Sequence, residues 1–441
     1  MSRIDLSQSP YIAPLLRNRW PQFLIRAVTL AGFIFTILTG LIGSEVGSNN
    51  FAVIFVWIAW WSVLKLFFIP VGGRLWCSIC PIPMPGEWLQ NEGIFKPRRF
   101  QSPKRKNWPK ALRGNWLQAF AFLLIGLFGA VILTSPRVTA LILLGLIIVA
   151  FILSLIFERR SFCLYLCPIG GFTGLYAKLA PLEVQAKQSV LCAHHGEKTC
   201  YQACPWGQYP LALKTSANCG LCMECLRVCP YDNISVNIRP WGEEISKGFK
   251  TTLDETFFGL MMLTTALADA AIFLGPWGKL KSAAYGVGTS EWWWFVIAFL
   301  LGALFLIPGL YLLAVWSSTR LERSGSPLRS ALTYFSSFLV PLGLTGWIAF
   351  TISFAFTKFS YILPVLSDPL GWGWNLLGLS GKNGVGEISP LSSFLQVVVI
   401  AAGMFWAART ARQLSCSHRQ VMPLVLFIAS FGIAMLWLLI G

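Results

Sequence analysis

Arg74-Leu75-Trp76-Cys77-Ser78-Ile79-Cys80-Pro81-Ile82 is echoed further along the chain by Arg160-Ser161-Phe162-Cys163-Leu164-Tyr165-Leu166-Cys167-Pro168-Ile169. Each stretch runs Arg, spacer, aromatic, Cys, two or three residues, then Cys-Pro-Ile. Each also closes a pair of apolar runs long enough to cross a bilayer, which takes roughly 20 mainly apolar residues. The first four helices therefore read as a parallel duplication of a two-helix unit, with both cysteine pairs at the same membrane depth. Working outward, nine spans are expected: approximately 22 to 43, 51 to 70, 116 to 134, 138 to 157, 257 to 275, 292 to 315, 331 to 356, 393 to 408 and 422 to 440.

Composition agrees. The 441 residues are 55% hydrophobic and 12% charged, with a mean hydropathy of +0.63, far from a soluble average. The net charge of +17 would suggest nucleic acid in a soluble protein. Here it is positional: 28 Lys/Arg fall in segments 1–21, 71–115, 158–256, 316–330 and 409–421, against five (Arg137, Lys279, Lys281, Lys358, Lys382) in the alternate loops. By the positive-inside rule the N-terminus is cytoplasmic and the C-terminus outside, in a prokaryotic cytoplasmic (inner) membrane, and no nucleic-acid partner is expected. The first run is long and flanked by Arg17 and Arg19, so it is expected to stay as a helix rather than be cleaved as a signal. All twelve cysteines then lie on or near the cytoplasmic side, where thiols stay reduced. With three histidines in the chain, sulfur-ligated metal is favoured over membrane haem.

Between the fourth and fifth spans, Cys219-Gly220-Leu221-Cys222-Met223-Glu224-Cys225-Leu226-Arg227-Val228-Cys229-Pro230 has the spacing C-x2-C-x2-C-x3-C-P. Three close thiolates in this run hold one 4Fe-4S cluster and the fourth reaches a neighbouring one; zinc is the alternative. Upstream lies the degenerate partner Cys192-Ala193-His194-His195-Gly196-Glu197-Lys198-Thr199-Cys200-Tyr201-Gln202-Ala203-Cys204-Pro205. One cluster would use Cys219, Cys222, Cys225 and Cys204; the other would use Cys192, Cys200 and Cys229 and lack one thiolate. His195, at the x2 spacing from Cys192 where a cysteine is expected, is the candidate fourth ligand. His194, a three-iron cluster, or a histidine pair with no metal role stay open. Cys77, Cys80, Cys163 and Cys167 supply four thiolates, enough for a third iron-sulfur cluster or a tetrahedral zinc; two structural or redox-active dithiols are the plainer reading.

The expected fold is thus an all-α polytopic membrane protein of about nine transmembrane helices with a cytoplasmic two-cluster ferredoxin-like insert. Its parts are a cytoplasmic N-terminus (1–21), a four-helix membrane repeat (22–157), an iron-sulfur domain (158–256) and a five-helix membrane domain (257–441).

These motifs, over roughly residues 20 to 240, resemble polytopic membrane ferredoxins of the NapH and NosR type and the related oxidase-assembly protein CcoG. The resemblance implies cluster ligation by Cys204, Cys219, Cys222, Cys225 and Cys229. It also implies electron transfer between quinone or cytoplasmic donors and partner subunits, or support of metal-site maturation. The chain is expected to lack the flavin-carrying region of NosR-like proteins and the soluble C-terminal domain of the assembly relatives. Its first membrane pair is C-x2-C-P where the family more usually shows C-x3-C-P, and most of 257–441 lies outside the matched part.

Asp269, about twelve residues into the fifth span, is expensive in lipid. It is expected to bond Thr264 or Thr265 or to turn towards the outer surface, with a proton or quinone role as the functional reading. Arg26 and Lys65 are expected to snorkel. Trp372 and Trp374 mark an interfacial anchor or a docking surface for an extracytoplasmic partner. No nucleotide-binding or hydrolase motif is present. Three functions follow: an electron-transfer subunit, a candidate quinol dehydrogenase component of a hetero-oligomeric complex with haem or other redox subunits; an assembly factor that reduces or delivers metal; or a structural anchor.

Overall fold

The computed structural model describes residues 3–90, 105–248, 251–275, 278–322, 327–379 and 390–440. Nine apolar helices in chain order are α1 (Trp20–Ile42), α2 (Phe51–Gly72), α3 (Trp116–Leu127), α4 (Pro136–Ile156), α5 (Leu253–Phe273), α6 (Ser290–Leu321), α7 (Leu328–Ser367), α8 (Pro390–Leu414) and α9 (His418–Ile440). All but α3 are long and apolar enough to cross a membrane, which makes this an all-α polytopic membrane protein. The expected span 116 to 134 breaks at Phe128 and resumes as the short helix Gly129–Ile132. Gly126 and Gly129 bracket the break, where backbone freedom weakens a helix. Large apolar side chains such as Val28, Phe405 and Leu426 stay exposed, as helices solvated by lipid require.

The chain divides into two compact units. The first comprises 1–35, 67–118 and 142–244 and contains every cysteine except Cys416. Its three strands, β1 (Ile4–Asp5), β2 (Leu182–Ala186) and β3 (Ile234–Ile238), form an antiparallel sheet in the order β1-β3-β2, with Val184 opposite Val236. Val184, Ile234 and Val236 pack on Leu221, Met223 and Leu226. This small apolar layer fixes the cysteine loop 219–229 against the sheet, since Cys219, Cys225 and Cys229 border the same cluster.

The second unit comprises 36–66, 119–141 and 245–441. Small residues let its helices close up: a Cβ on Gly403 of α8 would meet Thr345 Oγ1 of α7 at 1.9 Å, the close approach that drives helix association in lipid. Trp347 and Phe350 of α7 lie at its centre, with Phe122 edge-on to both Phe258 and Trp347.

Candidate functional site

The duplicated cysteine segments meet. Leu75–Ile79 forms a short helix carrying buried Cys77, and Cys80 caps its end in extended conformation before Pro81. In the second copy Ser161–Tyr165 carries Cys163, and Cys167 caps Pro168–Tyr176 with its Sγ accepting the Gly170 N–H at 3.3 Å. Residues of the second copy hold the first: Arg160 Nη1 donates to the Cys77 carbonyl at 2.7 Å, and Thr173 Oγ1 lies 3.3 Å from Cys77 Sγ. In the reverse sense Arg74 fills the space beside Gly174, where a Cβ would stand 2.2 Å from Nη2. Gln118 Nε2 holds the Cys163 and Leu164 carbonyls at 3.2 and 3.1 Å.

The four thiols act on one another. Burial pushes Cys80 up to about 12, and Cys77 and Cys167 add to the shift. Burial likewise raises Cys163, with further contributions from Cys167, Cys80 and Cys77, and takes Cys167 up to about 12. Anionic sulfur at this spot needs a counter-charge, and two arginines supply it. Arg160 is enclosed, and its Nε bonds Glu87 Oε1. Glu87 is bonded in turn by Arg26 Nη2 at 2.7 Å. Two guanidiniums on one carboxylate leave a net positive charge beside the thiols. Arg26 is thus a buried ion-pair member at 3% exposure, not a snorkelling residue, because Glu87 gives it a partner inside.

The downstream cysteines form two groups. Burial pushes Cys219 up to about 11 and Cys222 up to about 12, and Cys204 acts on both. Burial also raises Cys225, whose neighbours are Cys222, Cys219, Cys204 and then Cys200. Cys200 itself is pushed up to about 11 by burial, with Cys229 and Cys192 as its thiol neighbours. By mutual electrostatic influence Cys204 falls with Cys219, Cys222 and Cys225, and Cys200 with Cys192 and Cys229. Leu221 and Met223 hold positive φ of 49° and 59° on either side of Cys222, a left-handed backbone rarely adopted by such side chains that curls the loop around its sulfurs. His195 is half-buried beside Tyr231, with ring centroids 5.1 Å apart. Its Nδ1 is buried and has no hydrogen-bond partner among the described residues. His194 is exposed and bonds the Val190 carbonyl at 2.8 Å.

Several residues here were invisible to cysteine spacing. Trp206 is enclosed, with Arg74 4.7 Å and Arg160 5.6 Å from its ring. Arg74 acts on both Cys167 and Cys219, and Arg160 on both Cys163 and Cys222. These matched arginines of the duplication therefore stand between the paired cysteines and the Cys219–Cys225 loop. Gly220 faces the same indole: a Cβ there would sit 1.9 Å from Trp206 Nε1. Asn233 donates from its backbone to Cys229 Sγ at 3.3 Å and from Nδ2 to Cys192 Sγ at 3.1 Å.

This donor set fits thiolate-bound iron-sulfur. Its cysteines are buried or half-buried, and N–H groups of Gly170, Gln208 and Asn233 point at Cys167, Cys204, Cys229 and Cys192; such bonds tune cluster potentials. A single zinc would need sulfurs at about 2.3 Å from one point. No disulfide occurs among the described cysteines.

The comparisons with known proteins point the same way. Residues 53–100 and 139–183 match the model of a 4Fe-4S binding domain, so one model covers both copies of the cysteine-ended unit. The chain is 27% identical over 158 residues to the methylamine utilization ferredoxin-type protein MauN of Paracoccus denitrificans, covering 32% of this chain and 52% of the relative. It is 30% identical over 158 residues to MauN of Methylorubrum extorquens, covering 32% and 51%. The chain spans about half the length of the curated relatives it matches. No solved structure matches it. Two segments of this multi-pass membrane protein are thus similar to a 4Fe-4S binding domain, and the chain is similar over part of its length to ferredoxin-type proteins.

Proposed function

We propose that this chain is an electron-transfer subunit of a membrane respiratory complex, relaying electrons between quinol or a cytoplasmic donor and partner subunits. The observation that carries the reading is the order of thiol groups within one unit. Cys192, Cys200 and Cys229 neighbour the group Cys204, Cys219, Cys222 and Cys225, and the Arg74–Trp206–Arg160 layer joins that group to Cys77, Cys80, Cys163 and Cys167. Bound clusters would supply one-electron redox capacity at successive positions. The first group, with His195, and the second would hold one 4Fe-4S cluster each, and the four paired cysteines a third.

The protein's own part is to keep the sulfurs dry, to aim N–H donors at them and to balance their charge. Arg74 and Arg160 favour an anionic group on either side of Trp206, which keeps neighbouring sites electrostatically linked. In this reading the N-terminus and all three sites face the cytoplasm, the insert 158–256 is the iron-sulfur domain, and 257–441 is the membrane domain that meets partners. The relatives' names tie them to methylamine utilization; only the ferredoxin-type part is carried to this chain.

The test is an anaerobic EPR titration of the full chain in lipid nanodiscs, first with a quinol and then with a low-potential reductant. The expected result is reversible one-electron signals from interacting clusters. Quinol reduction would identify quinol as the donor, and reduction only by the stronger agent would identify a cytoplasmic one. Signals that no reductant moves would overturn the relay in favour of a structural anchor, and metal passing to an acceptor protein would favour the assembly role.

A further inference from the structure

The second unit buries a lysine that the thiol sites do not use. Lys65 is fully enclosed, and its Nζ has no hydrogen-bond partner among the described residues. Three ring faces surround the ammonium instead: Trp61 at 4.9 Å, Trp347 at 5.0 Å and Phe350 at 5.2 Å. The residue sits in a wide π-helical turn, Leu64–Phe68, following a longer one at Ile54–Trp60. Such turns interrupt regular helix geometry and are frequent where a helix serves a site.

Asp269 of α5 is the charge that acts on Lys65, and Lys65 the charge that acts on Asp269. Trp61, Trp347 and Phe350 bring no further ionisable group to the pair. Asp269 is buried and does not bond the threonines expected to hold it. Thr264 and Thr265 spend their hydroxyls on the Leu260 and Met261 carbonyls, at 3.1 and 2.8 Å. Lys65 does not snorkel, because the aromatic faces and Asp269 compensate it inside. An ammonium held by ring faces and one carboxylate is only partly compensated for leaving water.

A cavity of about 340 Å³ lies in the same unit, lined by neither member of the pair. Its wall includes Phe273, one helical turn beyond Asp269, and Phe354, one turn beyond Phe350. The rings of Phe273, Phe350 and Phe354 lie 5.6 to 6.4 Å apart by centroid, so one aromatic cluster joins the cavity wall to the cage around Lys65. Lys281, Tyr285, Lys358 and Tyr361 also line the cavity, giving it polar groups that water can wet.

We propose that Lys65 and Asp269 form a proton-exchanging pair inside the membrane domain, reached by water through this cavity, with Phe273, Phe350 and Phe354 as the gate. The exchange balances simply. A hydronium ion in the cavity gives its proton to the Asp269 carboxylate and leaves water, and the pair gains one positive charge; the return step reverses this.

The test is infrared difference spectroscopy of the full chain in phospholipid vesicles, stepping the pH while following the C=O stretch of a buried, protonated carboxyl. A reversible band is expected in the wild type, absent in Asp269→Asn and moved along the pH axis in Lys65→Met. The double variant Lys65→Met/Asp269→Asn, in which neither charge is left unpaired, guards against misfolding and should also lack the band. Leu133→Trp, which fills the cavity, should slow the band's appearance after a pH jump at least several-fold. A wild type with no titrating carboxyl band, or a band that survives Asp269→Asn, would overturn the pair. Unchanged kinetics in Leu133→Trp would overturn the cavity route.

Discussion

Replacing Glu87 by Gln would remove the one anion that Arg26 and Arg160 share. Arg26 lies 2.7 Å from the carboxylate, Arg160 bonds its other oxygen, and all three residues are at most 3% exposed. Taking one partner from a buried ion pair strands the other and costs about 3–5 kcal/mol. Arg160 keeps its bond to the Cys77 carbonyl, so a cost of about 3–5 kcal/mol is expected for the substitution. At 1.4 kcal/mol per tenfold this shifts the unfolding equilibrium by roughly two to three and a half orders of magnitude. The assay is reversible denaturant unfolding in bicelles, read by circular dichroism. A companion variant, Arg26→Met/Glu87→Leu/Arg160→Met, swaps the whole ion cluster for apolar packing and should recover most of the stability. It should still impair loading at Cys77 and Cys163, which lose their counter-charge. Glu87→Gln within about 0.5 kcal/mol of wild type, the range of an ordinary surface change, would refute the reasoning.

Gly220→Ala forces a methyl to within 1.9 Å of Trp206 Nε1, an overpacking of about 1–3 kcal/mol, so iron content of the Cys219–Cys225 loop should fall while α1 to α9 remain helical by circular dichroism. His195→Cys should keep iron and move the most positive EPR midpoint downward, whereas His195→Ala should lower iron content or yield three-iron signals. Trp206→Leu removes two ring-arginine contacts, each about 0.5–2 kcal/mol, and should weaken magnetic interaction between neighbouring clusters without removing iron. Metal-free chain should be pH-sensitive with a definite sign. Its buried thiols Cys80, Cys167, Cys222, Cys200 and Cys219 lie at about 11 to 12, above the unfolded value of about 8.5. Their contribution to stability is therefore full below the ordinary thiol range and lost as pH rises towards those values. Loaded chain, whose ligands are already deprotonated, should show no such loss in a denaturation series against pH.

Run length made the membrane helices legible: eight of the expected spans appear as helices that long, because lipid leaves a backbone few alternatives to a continuous helix. The exception, 116 to 134, looked continuous by composition but carries Gly126 and Gly129 at its break. The duplicated endings could be read in the sequence because both copies keep Arg, Cys and Cys-Pro in order. What spacing could not reach were contacts between segments distant in the chain. Glu87 lies in no motif, yet it clamps Arg26 and Arg160. Trp206 reads as one tryptophan among 20, and only folding sets it against two arginines and Gly220. Lys65 and Asp269 are 204 positions apart, and each taken singly suggested a local solution, a snorkel or a threonine hydrogen bond. An arginine three positions before the first cysteine of both copies was the available signal for Arg74 and Arg160.

The central claim is that three neighbouring thiol groups carry clusters in series. Its most direct test is iron and acid-labile sulfide per anaerobically purified full chain, for wild type and Cys77→Ser/Cys163→Ser. The expected wild-type value is about twelve irons, falling to about eight in the variant, at four per cubane. About eight irons in both would leave the paired cysteines as dithiols and contradict the series.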